Sequence, residues 1–542
     1  MIQSNLKLYV FLSLPFLLWG AFGRFGFEDA DTGFILGMGW RMANGEFPYI
    51  DFSYVRPFMS LIHAVLIIEV FPDYAQLLTI KIIPLLQLFF SVWLTVQALE
   101  KKYISKIGHI SKYDIAIPGY LIASASLSYY MLWHTIDGIF YQSIGLYFIS
   151  KFDYLRKDRF LFFASLFLFL GVLSKQNFLA TFILSFLFVG FIYGWKVLLK
   201  YILFGVVVQA IFYGGLYLSG YLWLYLDSVS SKTKLLDIFN SSIYPYIKSA
   251  SSQEAGILFG ISIFLFLLER KRGIKKFYIS FYIIPVIMLF GFIQDLILND
   301  SINFRSTKLD LIIPFYLMIY VIYNTVTKNQ TKKNALILIL LFLSLSWATS
   351  VSWGANSPLL YFTPLLVACL YFYHVSSGKY TKQLVFAIQL SAVIFMLHML
   401  SPYRDAYIWK LNYDMGDIYS KASFIKTDFD TYEKHKEYVG LLNKYDVEKL
   451  TVLPSMPLSH YLVNSNNPYF IDWAMDTEST LNPDMMIKKL NENVEYVFIE
   501  TRSIGNPIGE PGEKFYSTVS DYVVNQYNPV ERGQYFDVYK IR

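Results

Sequence analysis

The segment FEDADTGFILGMGWRMANGEFPYIDF, residues 27–52, follows a first apolar run and precedes a long series of further ones. It sets three carboxylates, Glu28, Asp29 and Asp31, directly after that run. Low-dielectric surroundings penalise charge, so ionisable groups placed beside lipid are costly and point to function. The rest of the chain is built for a bilayer. Of 542 residues, 55% are hydrophobic, 19% aromatic and only 16% charged, with a mean hydropathy of +0.42. That is more apolar surface than a water-soluble fold can hide. Runs of roughly 17 to 22 apolar residues recur, each long enough to cross a hydrocarbon core of about 30 Å. The expected fold is a polytopic α-helical membrane protein.

Apolar runs fall near 8–23, 76–98, 115–132, 138–151, 160–174, 178–194, 200–220, 255–268, 277–294, 309–326, 334–350, 358–374 and 383–400, which is about thirteen spans. Lys7 ahead of the first run resembles the start of a signal peptide, but no small-residue cleavage site follows, so an uncleaved first helix is expected. Lys and Arg gather in alternate connections: Lys101, Lys102, Lys106 and Lys112; Lys151, Arg156, Lys157 and Arg159; Lys196 and Lys200; Arg270 to Lys276; Lys328, Lys332 and Lys333; Lys379 and Lys382. The positive-inside rule makes that side cytoplasmic, with the N-terminus. This retention accounts for the net charge of +6, and a nucleic-acid partner is not expected. The run from Arg56 to Phe71 opens with Arg56-Pro57 and carries His63 and Glu69. Counting it as a span would reverse the basic clusters, so it reads as a juxtamembrane or re-entrant helix on the outer face. The sole cysteine, Cys369, lies in an apolar run and rules out a disulfide framework or cysteine metal site within the chain.

After residue 402 the chain turns polar. Lys449–Leu453, Val494–Ile499 and Tyr535–Ile541 read as strands, and Asp430–Tyr445, Asp484–Glu492 and Gly512–Gln526 as amphipathic helices. The expected organisation is a transmembrane catalytic domain over 1–402 and a C-terminal extracytoplasmic α/β domain over 403–542.

All candidate chemistry falls on the outer side. Outer carboxylates beside a cavity between helices suit a general base that activates an acceptor hydroxyl or amine against an anomeric carbon. A phosphate leaving group at the membrane surface would need a positive charge or amide donors. Asp31 is the first choice as base and opens a predicted short helix, DTGFILGMGWRMANG, where the helix dipole alone would favour an acid. Asp29, two residues earlier, is the alternative. Asp137 sits in the turn WHTIDG, and His134 beside it reads as a hydrogen-bonded interfacial histidine. Lys175, in GVLSKQN, is an outer-face ammonium against the usual charge bias; it either snorkels to the interface or binds phosphate. Arg305 and Lys308, in LNDSINFRSTKLD, form a second anion candidate, and Arg56 a third.

The order of these features resembles the GT-C glycosyltransferases: a first span, an acid-and-glycine outer loop (DTG, then NGEFPYIDF), a proline-led juxtamembrane segment, an Asp in the next outer turn and a lysine in SKQN. The nearest branch looks like the protein O-mannosyltransferases and bacterial lipid A aminoarabinose transferases. The resemblance covers the whole chain in architecture, through short, degenerate motifs. It implies a polyprenyl-phosphate-linked sugar donor, a glycan, lipid or protein acceptor, and transfer on the outer face of a plasma or inner membrane. It assigns the base to Asp31, a second aspartate to Asp137 and the phosphate contact to Lys175. No cofactor is required by it, although Glu28, Asp29 and Asp31 would offer oxygen ligands to Mg²⁺ or Mn²⁺. The chain departs from the pattern where Asp-Glu gives way to Asp31-Thr32, which keeps Asp29 with Glu28 in play, and where Gly138 replaces a frequent proline. The absence of a WWD-type signature argues against the oligosaccharyltransferase branch. The rival readings are a lipid-linked oligosaccharide polymerase or ligase, which would place its key arginines in late outer loops, and a polyprenyl-linked glycan transporter. A transporter would show internal symmetry and midplane charges, and neither is found in the sequence.

Overall fold

The computed structural model describes residues 2–103, 111–125, 130–230, 396–476, 478–479, 481–501 and 516–542, with scattered positions between 264 and 394. All seven apolar runs before residue 221 contain helix. The helices are, in order, α1 (Ile2–Phe22), α2 (Asp31–Ala43), α3 (Met59–Val70), α4 (Gln76–Ile80), α5 (Ile82–Tyr103), α6 (Tyr113–Ala125), α7 (His134–Leu155), α8 (Arg159–Ser174), α9 (Leu179–Tyr193), α10 (Trp195–Leu218) and α11 (Leu222–Ser230). Among the described residues, four stretches are long and apolar enough to cross a membrane: Asn5–Phe22, Gln76–Leu99, Gln176–Tyr193 and Trp195–Leu218. The expected spans between 255 and 374, and Cys369, lie outside the described residues apart from isolated positions.

The bundle packs on Phe11, Leu85, Tyr120, Ile136, Leu168 and Val189. Its outer surface stays apolar: Leu187 and Phe191 of α9 and Leu203, Val206, Ile211 and Leu218 of α10 are all exposed. Water-soluble monomers do not carry such continuous apolar faces, and lipid removes the cost. At 12 residues, α3 is about 18 Å long, too short to span. It packs against α2 and α8, in keeping with a juxtamembrane helix.

The C-terminal region is α/β. A short antiparallel pair, β1 (Tyr413–Asp414) and β2 (Lys426–Thr427), precedes α12 (Phe429–Leu442), β3 (Leu450–Leu453), α13 (Ser459–Leu462), α14 (Pro483–Asn493), β4 (Tyr496–Glu500), α15 (Thr518–Gln526), β5 (Pro529–Arg532) and β6 (Phe536–Lys540). The main sheet runs β3-β4-β6-β5. β3 and β4 are parallel, with Val452 opposite Phe498, and the crossover that a parallel pair requires contains α14. β6 is antiparallel to both β4 and β5. The helices start where side chains cap them: Asp428 accepts from Thr431 N, Asn482 from Met485 N ahead of Pro483, and Ser517 from Ser520 N. The three expected strands and helices are present. β5 was not expected, because an edge strand of four residues opening on Pro529 and ending Glu531-Arg532 has little alternation to read.

The segment 27–54 does not pack as a membrane loop. Phe27, Phe34, Phe52 and Tyr54 share one core with Met415, Tyr438, Leu458, Trp473 and Phe498 of the C-terminal region. Two glycines allow this approach. A Cβ added at Gly33 would collide with the backbone of Leu458, and one added at Gly37 with the carbonyl oxygen of Pro457. The i, i+4 spacing puts both on one face of α2, and the C-terminal backbone lies directly on it.

Candidate active site

Each acid of the first segment has its own partners. Glu28 Oε1 accepts the backbone N–H groups of Ala30 (3.1 Å) and Asp31 (2.9 Å), and Oε2 accepts that of Thr32 (2.8 Å). These are amides that an α-helix leaves unmet at its start, and Ala30 at the N-cap has no side chain to meet them. Glu28 therefore caps α2, and Asp31 is not needed for capping. Burial, then the neighbouring Asp31 charge, push the Glu28 carboxyl up to about 7 against the pull of Arg404.

Asp29 is drawn toward α12. Its Oδ2 accepts from Lys434 Nζ at 2.7 Å and lies 3.1 Å from His435 Nε2, and Lys434 also reaches Glu500 Oε1 at 2.6 Å. Burial works to raise this carboxyl, but Lys434 and His435 together hold it well below the usual carboxylate range.

Asp31 is 8% exposed. Its Oδ2 accepts from Tyr403 Oη at 3.0 Å and stands 3.4 Å from Arg404 Nη1, the atom that also lies 2.8 Å from Glu28 Oε1. Among the described residues, nothing hydrogen-bonds Oδ1. The next residue, Asp405, accepts from the Phe27 amide (3.1 Å) and Thr427 Oγ1 (2.9 Å). Lys81 Nζ donates to the carbonyls of Phe25 (3.1 Å) and Gly26 (2.8 Å). The acid segment is thus fastened from several elements.

Phe34, one turn into α2, is the hub of a second group. The Arg56 guanidinium carbon lies 4.4 Å from its ring centroid, and the rings of Trp473, Tyr54 and His134 stand 5.3, 5.6 and 6.3 Å away. Tyr54 Oη, Trp473 Nε1 and both ring nitrogens of His134 are buried there with no hydrogen-bond partner among the described residues. Buried polar groups are ordinarily satisfied, so this convergence marks a place for a polar ligand or water. Arg56 makes a two-pronged contact with Glu478 (2.8 and 3.1 Å) and is also within electrostatic reach of Asp31. Lys175 is buried at the C-terminal end of α8, and its charge and that of Arg56 both act on His134. Its turn is held by Gln176 Nε2, which donates to the carbonyls of Val55 and Val229 at 3.3 Å.

Asp137 lies in the first turn of α7. It accepts from Gln87 Nε2 at 2.6 Å and meets His63 Nδ1 at 3.2 Å, while His63 Nε2 bonds Tyr141 Oη. Gly138 sits under the Phe178 ring, where an added Cβ would collide with it. That close packing leaves no room for a side chain at this position.

The structure therefore brings Asp31, Arg56, His134 and Lys175 into one neighbourhood and separates Asp29 from it. Arg305 and Lys308 lie outside the described residues. The three acids do not fit a shared divalent cation. Glu28 is committed to three amides and Arg404, Asp29 to Lys434 and His435, and Asp31 to Tyr403 and Arg404. Among the described residues, no three His, Cys, Asp or Glu side chains gather as ligands. Sequence reasoning missed Tyr403, Arg404, Lys434, His435 and Trp473. A signal existed for Arg404: a basic residue directly after the last apolar run, on the predicted outer face, breaks the charge bias just as Lys175 does.

No family model and no curated protein matches the chain. Solved structures similar to it include two of an oligosaccharyltransferase from Archaeoglobus fulgidus. One is AglB in complex with an inhibitory peptide and a dolichol-phosphate, 13% identical over 87% of this chain and 65% of that one, with a TM-score of 0.41. The other is the apo form, 13% identical over 92% and 69%, with a TM-score of 0.46. The chain thus spans about two thirds of their length. A likeness of this size selects no branch and transfers no donor or acceptor. These structural neighbours are glycosyltransferases of the GT-C superfamily.

Proposed function

We propose that this protein is a glycosyltransferase that moves a sugar from a polyprenyl-phosphate donor to a glycan, lipid or protein acceptor on the outer face of a cell's inner or plasma membrane. The observation that carries the reading is Asp31, buried and held through one carboxylate oxygen, with Arg56 over the Phe34 ring and the Lys175 charge acting on the neighbouring His134. The other oxygen, Oδ1, takes the proton of the acceptor hydroxyl or amine. The acceptor atom bonds to the anomeric carbon as the bond from that carbon to the phosphate oxygen breaks, its electron pair staying on the phosphate. The anomeric centre inverts. Lys175 and Arg56, with Arg305 as a third candidate, stabilise the departing phosphate, as cations preorganised in a low-dielectric site do best. Asp137 is assigned to placing His63 beside the donor, and the unpaired polar atoms around Phe34 to the sugar hydroxyls. Residues 1–402 form the membrane domain, and 403–542 an extracytoplasmic domain that closes the site from above.

The experiment is transfer of radiolabelled sugar from a panel of synthetic polyprenyl-phosphate sugars by protein in nanodiscs, wild type beside Asp31→Asn and Lys175→Ala. Transfer from one donor, lost in Asp31→Asn and weakened in Lys175→Ala, supports the reading. No turnover by folded protein with any donor, endogenous acceptor extract supplied, sinks it and favours a polymerase or transporter.

A further inference from the structure

We infer that Arg404 is the fixed cation of the Glu28–Asp31 pair, a positioning residue that does the work a divalent metal would otherwise do. The inference rests on the assignment of Asp31 as base. One nitrogen atom, Nη1, lies 2.8 Å from Glu28 Oε1 and 3.4 Å from Asp31 Oδ2, so a single positive centre serves both carboxylates, as a hard cation bound by oxygens does. A guanidinium keeps its charge at every working pH. It arrives on a backbone turned into the left-handed region, φ +59°, which non-glycine residues seldom adopt. Its two neighbours secure that turn: Tyr403 shares Asp31 Oδ2, and Asp405 holds the Phe27 amide and Thr427. The cation and the phenol therefore load the same oxygen of Asp31 and leave Oδ1 to the acceptor. An aspartate gripped in this way has a defined orientation toward the acceptor proton, and the three acids need no metal to offset their mutual repulsion.

The test uses the full-length protein in nanodiscs, with two readouts. In the first, EDTA leaves wild-type transfer unchanged; Arg404→Ala lowers kcat about 100-fold with donor KM little changed, Arg404→Lys retains part of it, and added methylguanidinium or Mn²⁺ restores part of the loss in Arg404→Ala. In the second, which needs no turnover, Mn²⁺ titration followed by electron paramagnetic resonance finds no stoichiometric site in wild type and one in Arg404→Ala, where Glu28 and Asp31 lose their cation. Wild-type transfer abolished by EDTA and regained with Mn²⁺, or a stoichiometric Mn²⁺ site in wild type, overturns the inference even if Arg404→Ala fails to fold. Wild-type kcat in Arg404→Ala overturns it too. Absence of wild-type transfer from any donor is a separate outcome: it removes the functional reading, while the Mn²⁺ titration still decides whether Arg404 occupies the cation position.

Discussion

The ammonium of Lys434 sits 2.7 Å from the Asp29 carboxylate, joining residues 405 positions apart in the chain. The same ammonium meets Glu500, so a part-buried Glu–Lys–Asp bridge ties the first outer segment to α12 and β4. A carboxylate consumed in this way is a poor proton acceptor, which separates two acids that looked equivalent in sequence. Asp29→Asn should leave Lys434 with Glu500 alone and cost about 1 to 3 kcal/mol, the range for a hydrogen bond to a charged group, read as a lowered unfolding temperature in detergent. Asp31→Asn, which leaves Arg404 its contact with Glu28, should abolish transfer in protein that remains folded, whereas folded Asp29→Asn should retain transfer. The reverse pattern would make Asp29 the base.

A second expectation concerns pH. Burial pushes His460 down to about 4, with Asp472 opposing and Arg41 assisting. A depressed histidine stays neutral in the folded state while the unfolded chain takes up a proton below about 6.5. The unfolded state binds more protons, so His460 costs stability as pH falls from 6.5 to 4, about 3 kcal/mol in all. Glu28, raised to about 7, acts in the opposite sense: stability falls as pH rises from about 4.5 to 7. The difference between wild type and His460→Gln isolates the histidine. Denaturation of both at pH 7 and pH 4 should show wild type losing about 3 kcal/mol more; parallel losses would refute the assignment.

The glycine face of α2 is open to direct test. Gly37→Ala places a methyl group against the Pro457 carbonyl, and overpacking of this kind costs about 1 to 3 kcal/mol. Limited proteolysis should cleave the region after residue 402 faster in this variant. Gly45→Ala is a contrasting change, since no atom of the described residues lies within 4 Å of its added Cβ and any penalty there comes from its φ of +89°.

Gly138 and Phe178 should behave as a coupled pair. Gly138→Ala alone collides with the ring, and Phe178→Ala alone leaves a hole in the bundle core. The double variant should be more stable than the sum of the two losses predicts, by about 0.5 to 3 kcal/mol. Strict additivity would show that the two do not touch.

Removing the Lys175 ammonium should slow use of a polyprenyl-phosphate donor by about 10- to 100-fold, the range for one charge-assisted hydrogen bond. A donor analogue with a neutral linkage should lose little. Equal losses for both would assign Lys175 to packing and not to phosphate.

The membrane class, the helices before residue 221 and three of the six C-terminal strands were legible in the sequence because they rest on local pattern. An apolar run of bilayer length, a period of 3.6 or 2 and a capping side chain act over a few residues and need no knowledge of the fold. Asp31, Asp137 and Lys175 were singled out for the same reason: each is a charge out of place beside lipid. What only the tertiary structure decided is which partners each acid meets. Asp29 and Asp31 have the same chemistry two residues apart, and they are distinguished by Lys434, Tyr403 and Arg404, all more than 370 positions away. The cap supplied by Glu28 releases Asp31, and Gly33 and Gly37 bring the C-terminal backbone close enough for those partners to reach the segment. Local sequence sets the cost of burying a charge; long-range packing determines which partner offsets it.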